Sequence, residues 1–443
     1  MMAVFKQAEV LLMLAFVAAL VLYFTLKLWL NMRQIRFIMA HQHQVPPPFD
    51  CHIDLEAHQK SARYAFVKLR LARLGLFIST SVLLIWTLGG GIASLSAVVQ
   101  HLTAHPLHFG VVLLVLFSLI GSLFELPLAY VDQFYVEQSF GFNRMTRGMW
   151  WMDLLKNTVL SAVLGIPLLY AVLAFMRLFP DTWWFWAWAL FLGFNVLMLW
   201  LYPTLIAPLF NKFTPLPDGE LKTRLEALLQ RCGFSSNGMF VMDGSRRSGH
   251  GNAYFTGFGR NKRIVFFDTL LAQLTEPQIE AVLAHELGHF HHKHILKRMA
   301  WMLPLSLGGF ALLGFLVDKM WFYAGLGVSD DFALLDSLAQ QPTHLFAVGL
   351  LLFSLVLPVF LFIFTPIFSL QSRKDEFEAD AFAVKNSNGQ DLIDALVAMY
   401  HDNASFVGTD PWYSRFYDSH PPAVIRVAHL QSEISKQSGV HHE

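Results

Sequence analysis

The sequence predicts an α-helical multi-pass membrane protein: seven transmembrane helices, with a mainly helical water-soluble domain that carries a small β-sheet and is split in two by the last pair of spans. Three observations predict it. The chain of 443 residues is 55% hydrophobic and only 14% charged, more apolar than a soluble core of this size requires. Apolar runs near 8–26, 75–97, 109–131, 158–179, 184–210, 299–317 and 345–370 approach the ~20 residues that cross a bilayer. Two longer water-soluble stretches, 211–297 and 371–443, flank the last two spans at 298–370, while 1–210 holds the first five.

In chain order, the first run has only Lys6 ahead of it, is too long for a signal-peptide core and lacks a small-residue cleavage site, so it reads as an uncleaved helix. Between the first and second runs stand Arg33, Arg36, Lys60, Arg63, Lys68, Arg70 and Arg73, whereas the next loop has no Lys or Arg. Basic loops stay cytoplasmic. Arg144, Arg147 and Lys156 place the loop after span three inside, and the segments from Lys212 and Arg373 are basic too. After span six, Asp318, Asp330, Asp331 and Asp336 face a single Lys319. Alternating crossings then put the N-terminus outside, the C-terminus in the cytoplasm and both soluble stretches on the cytoplasmic side. Trp150, Trp151, Trp183, Trp184, Trp186 and Trp188 suit interfacial belts against membrane lipid. Glu125 and Asn195 lie at membrane depth, where polar groups face an interior cavity or another helix. Cys51 and Cys232, the only cysteines, sit on cytoplasmic loops and predict no disulfide. Zero net charge and no long basic tract give no reason for nucleic-acid binding.

In the first soluble stretch the pattern predicts a helix over Leu221 to Arg231, strands over Met239 to Met242 and Arg263 to Phe267, and a helix over 276–297. Thr275 caps that last helix, Gln278 completes a capping box, and Pro277 sits in the first turn, where its missing N–H is harmless. Ile279, Val282, Leu283, Leu287 and Phe290 form its apolar face. The same helix carries His285-Glu286-Leu287-Gly288-His289. Imidazoles at i and i+4 stand one turn apart on one face, a claw for a divalent metal, and Glu286 between them reaches a metal-bound water as general base. Gly288 weakens the helix and predicts close approach of another backbone.

A hydrolytic zinc usually takes three protein ligands and one water. Were His291, His292 and His294 to continue along one straight helix, their donors would lie in a line and could not wrap a tetrahedral ion, so they read as solvated or interfacial helix surface. Beyond span seven, Glu376 and Asp380 are spaced i and i+4 in Ser372-Arg373-Lys374-Asp375-Glu376-Phe377-Glu378-Ala379-Asp380-Ala381. One carboxylate can ligate metal while the other accepts the N–H of a ligand imidazole. Glu376 leads as ligand, with Glu378 and Asp375 as alternatives. By composition alone His420, before Pro421-Pro422 and near Tyr413, Phe416 and Tyr417, is an interfacial residue, and Asn252 follows a turn at Ser248-Gly249-His250-Gly251.

Several motifs together resemble the integral-membrane CAAX prenyl endopeptidases, zinc metalloproteases: His285-Glu286-x-x-His289, Glu376-x-x-x-Asp380, the stretch from Asn252 through Phe258 to Lys262 and Leu270, Ser419-His420-Pro421-Pro422, Tyr202 to Leu216, and Phe140-Gly141-Phe142-Asn143. The likeness spans nearly the whole chain. It implies a zincin-like domain with one zinc ion, Glu376 as third ligand, Asp380 behind a ligand histidine, and His420 at the oxyanion with Arg426 close by. It also implies that Asn252, Ala253 and Tyr254 line a substrate cleft where an extended peptide joins a strand edge, and that the site opens on a chamber within the bundle. The family's best-known substrates end in a prenylated Cys followed by three residues, which are removed. Short loops and no evident retrieval signal point to a bacterial inner membrane, with the ER membrane as the alternative. Two other readings compete: a heat-shock-type protease trimming damaged membrane proteins without a lipid requirement, and a non-enzymatic transporter or metal sensor.

Overall fold

The structure is a computed structural model that describes all residues except 1, 48, 104, 257–262, 329–337 and 440–443. Asp330, Asp331 and Asp336 of the acidic loop, and Gly257, Phe258 and Lys262 of the family-like stretch, therefore lie outside the described residues.

Among the described residues, seven helices are long and apolar enough to cross a membrane. The first two are α1 (Met2–His41) and α2 (Leu55–Trp86), the latter capped by Asp54, whose carboxylate accepts the Ala57 N–H. The expected run at 75–97 is broken. After Trp86 the chain turns through Leu88-Gly89-Gly90-Gly91, with Gly90 at φ 72°, and a Cβ on Gly91 would stand 2.7 Å from the Ile85 carbonyl oxygen. A separate short helix, α3 (Gly91–Leu102), follows. Next come α4 (Pro106–Val131), which runs on through a π-helical turn at Asp132–Glu137, then α5 (Arg147–Leu178) and α6 (Trp183–Leu201). Asn195 bonds within its own helix, its Nδ2 donating to the Phe191 carbonyl at 2.7 Å.

These helices pack on one another mainly at one end. Phe16, Trp86, Phe109, Leu173, Trp183 and Leu352 share an apolar core built from the ends of the helices remote from the basic loops. Trp183 belongs to that core rather than to a lipid-facing belt: it is 1% exposed and stacks on Phe346. Elsewhere the spans bury little of themselves, as lipid-facing helices must, since apolar side chains there need no protein partner.

The soluble part begins with β1 (Phe213–Pro215), α7 (Glu220–Arg231), β2 (Met239–Met242), β3 (Ala253–Thr256) and β4 (Arg263–Phe267). The two longer-patterned strands sit where the sequence predicts them. Both β1, three residues ending in proline, and β3 lie beyond its reach. The sheet order is β1-β2-β4-β3, with β2 and β4 parallel and the outer pairs antiparallel, so β3 is an edge strand. Helix α8 (Glu276–His291) follows with both arms of its capping box formed.

The expected helix over 276–297 ends early. Lys293 adopts φ 56°, a left-handed turn, and α9 (His294–Leu316) leaves in a new direction as span six. Span seven is α10 (Pro342–Leu361), continued after a tight turn by α11 (Thr365–Asn386), and α12 (Gly389–Asp402), α13 (Pro411–Tyr417) and α14 (Ala423–Gly439) complete the chain. Leu225, Phe266, Ile279, Leu283 and Leu287 from the first stretch share a second core with Leu396 and Val427 from the other, so the split domain folds as one unit. Each such side chain contributes roughly 1.5–3 kcal/mol by burial. Arg33 near the end of α1 grips Asp410 with two nitrogens, the closer at 2.8 Å, fixing this unit to the basic end of the bundle.

Candidate metal centre

Two helices meet at their smallest residues. A Cβ on Gly288 would lie 2.8 Å from the Ala379 Cα and 3.0 Å from its carbonyl oxygen, so α8 and α11 touch backbone to backbone, as the glycine predicts. Ala379 lies between Glu376 and Asp380 just as Gly288 lies between His285 and His289. Side chains one turn apart on each helix are thereby pressed together across the contact.

His285 Nε2 is 3.4 Å from Glu376 Oε2, His289 Nε2 is 3.3 Å from Glu376 Oε1, and the two Nε2 atoms are 3.2 Å apart. One donor atom from each of the three residues lies within 4.8 Å of the others. Asp375 and Glu378, the alternative ligands, do not reach this point: Asp375 accepts from Gln371 at 2.9 Å, and Glu378 meets His294.

Proton bookkeeping on the rings shows why a cation fits. His285 Nδ1 lies 2.8 Å from Asp380 Oδ1, and Arg426 Nη2 stands 3.0 Å from the same Nδ1 and 3.2 Å from Nε2. On the other ring, Nδ1 of His289 is 3.0 Å from Nδ1 of His294, whose Nε2 is 3.1 Å from Glu378 Oε2. The carboxylate requires the His294 proton on Nε2, so His294 Nδ1 accepts the His289 Nδ1–H. That leaves a lone pair on His289 Nε2. The two Nε2 atoms, 3.2 Å apart, need a proton or a metal ion between them. Among the described residues, buried Glu376 Oε2 receives no hydrogen bond of good geometry, although His420 Nδ1 comes within 2.8 Å. Burial and the nearby Arg426 favour a neutral His285, yet Asp380 and Glu376 outweigh them and raise its pKa to about 9. The pocket demands a cation, and a divalent metal meets that demand.

Arg426 stands close to the centre, its Nη2 3.0 Å from His285 Nδ1 and its Nη1 3.6 Å from Glu376 Oε2. It is buried, 8% exposed, and forks onto Asp380 through Nη2 at 2.7 Å and Nε at 2.8 Å, so it holds the carboxylate behind His285. Asp380 in return holds the guanidinium's pKa above its ordinary value against the opposing effect of burial. His294 is a correction. Read as helix surface, it is 2% exposed, because the turn at Lys293 folds it back against His289.

Glu286 is half-buried beside the two imidazoles, and His420, 63% exposed at its side chain, overhangs Glu376 from the loop before α14. Asn252 is exposed and Ala253 and Tyr254 half-buried at the start of edge strand β3, which is tied to the motif helix by Phe255 and Phe290, ring centroids 4.9 Å apart. Glu137, in the π-turn after α4, accepts the Tyr64 hydroxyl at 2.6 Å and lies 3.5 Å from His250, which precedes β3. Cys51 and Cys232 are free.

A seven-span bundle with a metal-competent His-Glu-His centre on its polar end is the architecture of a membrane metalloendopeptidase. The profile described as CAAX prenyl protease N-terminal, five membrane helices, matches residues 34–212, and that of peptidase family M48 matches 215–434. The chain belongs to peptidase family M48. It is similar to CAAX prenyl protease 1 of Saccharomyces cerevisiae, 32% identical over 94% of both chains. The CAAX prenyl protease 1 homologs of Arabidopsis thaliana, 37% identical over 70% of this chain and 71% of the relative, and of Homo sapiens, 32% identical over 94% and 95%, are similar too. The crystal structure of S. mikatae Ste24p superposes with a TM-score of 0.85 at 30% identity, covering 95% of this chain and 99% of that one. The chain is thus a metalloendopeptidase acting on peptide or protein substrates at a membrane, and the transporter or sensor reading falls.

Proposed function

We propose that this chain is a zinc endopeptidase that removes the C-terminal tripeptide of prenylated CAAX proteins on the cytoplasmic face of its membrane. The observation that carries the chemistry is the convergence of His285, His289 and Glu376 at one point, with the two ring Nε2 atoms 3.2 Å apart. Zinc held there by these three residues supplies a Lewis acid that acidifies water and polarises the scissile carbonyl. Glu286, half-buried on the same helix, takes the proton from the attacking water and returns it to the departing amine. His420 donates to the carbonyl oxygen as negative charge grows on it. Asp380 fixes the His285 tautomer, and Arg426 holds Asp380 in place. The free edge of β3 at Ala253 and Tyr254, with Asn252 before it, pairs with an extended peptide.

The prenylated substrate is inferred from the names of the relatives and from the site's position at the membrane end of the spans. The cytoplasmic orientation rests on charge: Arg33 and Arg247, basic residues of the loops, anchor to Asp410 and Asp153 at the same end as the centre.

Glu286→Gln should retain stoichiometric zinc by elemental analysis yet lose roughly 10²- to 10⁴-fold in turnover, and near-normal turnover would refute its assigned role. Comparison of a farnesylated peptide with its unmodified twin tests the substrate class. Equal rates would favour the quality-control reading instead.

A further inference from the structure

A groove of about 800 Å³ lies apart from the metal centre, between the polar ends of the first and seventh spans. Phe37 from the last turns of α1, Leu370 and Phe377 from α11, Phe406 from the loop after α12, and Ile425 from α14 make its wall apolar. Leu370 and Ile425 are 57% and 55% exposed and continue the apolar wall to its mouth. Its charged lining is of one sign: Arg373, Lys374 and Arg415 face it with His41 and His58, and no described lining residue is acidic. Arg373 is steadied by the Ser414 carbonyl and hydroxyl, and the Arg415 guanidinium sits 4.8 Å over the Trp412 ring, while Lys374 is exposed. Trp412 in turn contacts Trp29 on α1, an aromatic pair where the bundle meets the soluble unit.

Asp418 acts on Arg373 from outside the groove, but the described lining itself carries only cations, and an apolar trough so rimmed has the chemistry of an acyl chain bound beside a phosphate. We propose that this groove binds one anionic phospholipid, with an acyl chain along Phe37, Leu370 and Ile425 and the phosphate between Lys374 and Arg415. The groove also has a route to the catalytic centre, because Pro421 and Pro422 line it and follow His420, whose ring lies 2.8 Å from Glu376. A bound lipid would thus brace the loop that carries His420.

The test uses the full chain in nanodiscs of phosphatidylcholine with a minor fraction of phosphatidylglycerol, followed by native mass spectrometry of the lipids that survive detergent washing. The expected result is one retained phosphatidylglycerol, preferred over phosphatidylcholine by roughly twenty-fivefold, about fivefold for each of two cations. Lys374→Glu combined with Arg415→Glu should abolish that preference while metal content and helical signal stay unchanged, and Lys374→Arg with Arg415→Lys should keep it. Equal retention of the two lipids, or a preference that survives charge reversal, overturns the proposal. Displacement of the lipid by a farnesylated peptide but not by its unmodified twin also overturns it, since the groove would then belong to substrate. None of these readouts depends on proteolysis, so a failure here leaves the protease assignment intact.

Discussion

On one side of the centre His285 leans on Asp380, which is fully buried and gripped by Arg426, itself only 10% exposed at the side chain. On the other, His289 is supported through a third imidazole, His294, by Glu378, whose side chain is 31% exposed and has Lys297 nearby at 3.7 Å. Both arrangements turn an Nε2 toward the metal position. The first does so with desolvated charges that cannot relax, the second with a neutral relay ending near water. The difference teaches that a ligand's orientation can be set by either route, but that the two should fail very differently.

The largest effect is expected on the sealed side. Asp380→Ala strands a buried guanidinium and should destabilise the protein by about 3–5 kcal/mol, read as a fall in unfolding temperature of the metal-free protein. Asp380→Asn keeps the shape and should mainly weaken metal binding, by roughly 10- to 100-fold, measured by chelator competition. If Asp380→Ala left both stability and metal affinity unchanged, the sealed side would have no special standing. On the relay side, His294→Ala should weaken metal by about tenfold, near the lower end of that range, with fold stability less affected than by Asp380→Ala. Glu378→Gln should do least, under about 1 kcal/mol, because its partly exposed carboxylate is screened, and added salt should shrink the effect further.

Protons sharpen the same contrast. In the metal-free protein His285 has its pKa raised to about 9 by Asp380 and Glu376, against burial and Arg426. A raised histidine pKa stabilises the fold below its unfolded value near 6.5 and loses that contribution as pH climbs through about 9. Metal must displace this proton, so its affinity rises over the same window. Melting temperatures of stripped and metal-loaded protein should therefore diverge between pH 6.5 and 9, and a constant gap would count against proton–metal competition at His285.

How much of this was legible in the sequence depended on range. The spans other than the second, the strands at Met239–Met242 and Arg263–Phe267 and the capping box of α8 are local patterns, and each appears where its residues predict it. Gly288 even announced a contact with an unknown partner, because only a missing side chain admits another backbone so closely. The triple glycine after α2 was an equally plain signal that the apolar run hid, since Trp86 and Ile92 are buried on both sides of the break. The turn at Lys293 had no such mark, as neither glycine nor proline stands there, and the fate of His294 hung on it. Without that turn the histidine ladder is straight on paper, which is why His294, the buried member that supports His289, reads as surface. The pairing of Arg426 with Asp380 lies out of reach for a related reason: it spans 46 residues and no local spacing encodes it.

The contact between Gly288 and Ala379 also sets an order of events during synthesis. The claw emerges first, and the carboxylate that completes it follows only after α9 and α10 have both been made. Until that pair has been threaded into the bilayer the nascent chain holds an unfinished blade. The scissors can close only once the insertion machinery is done with them.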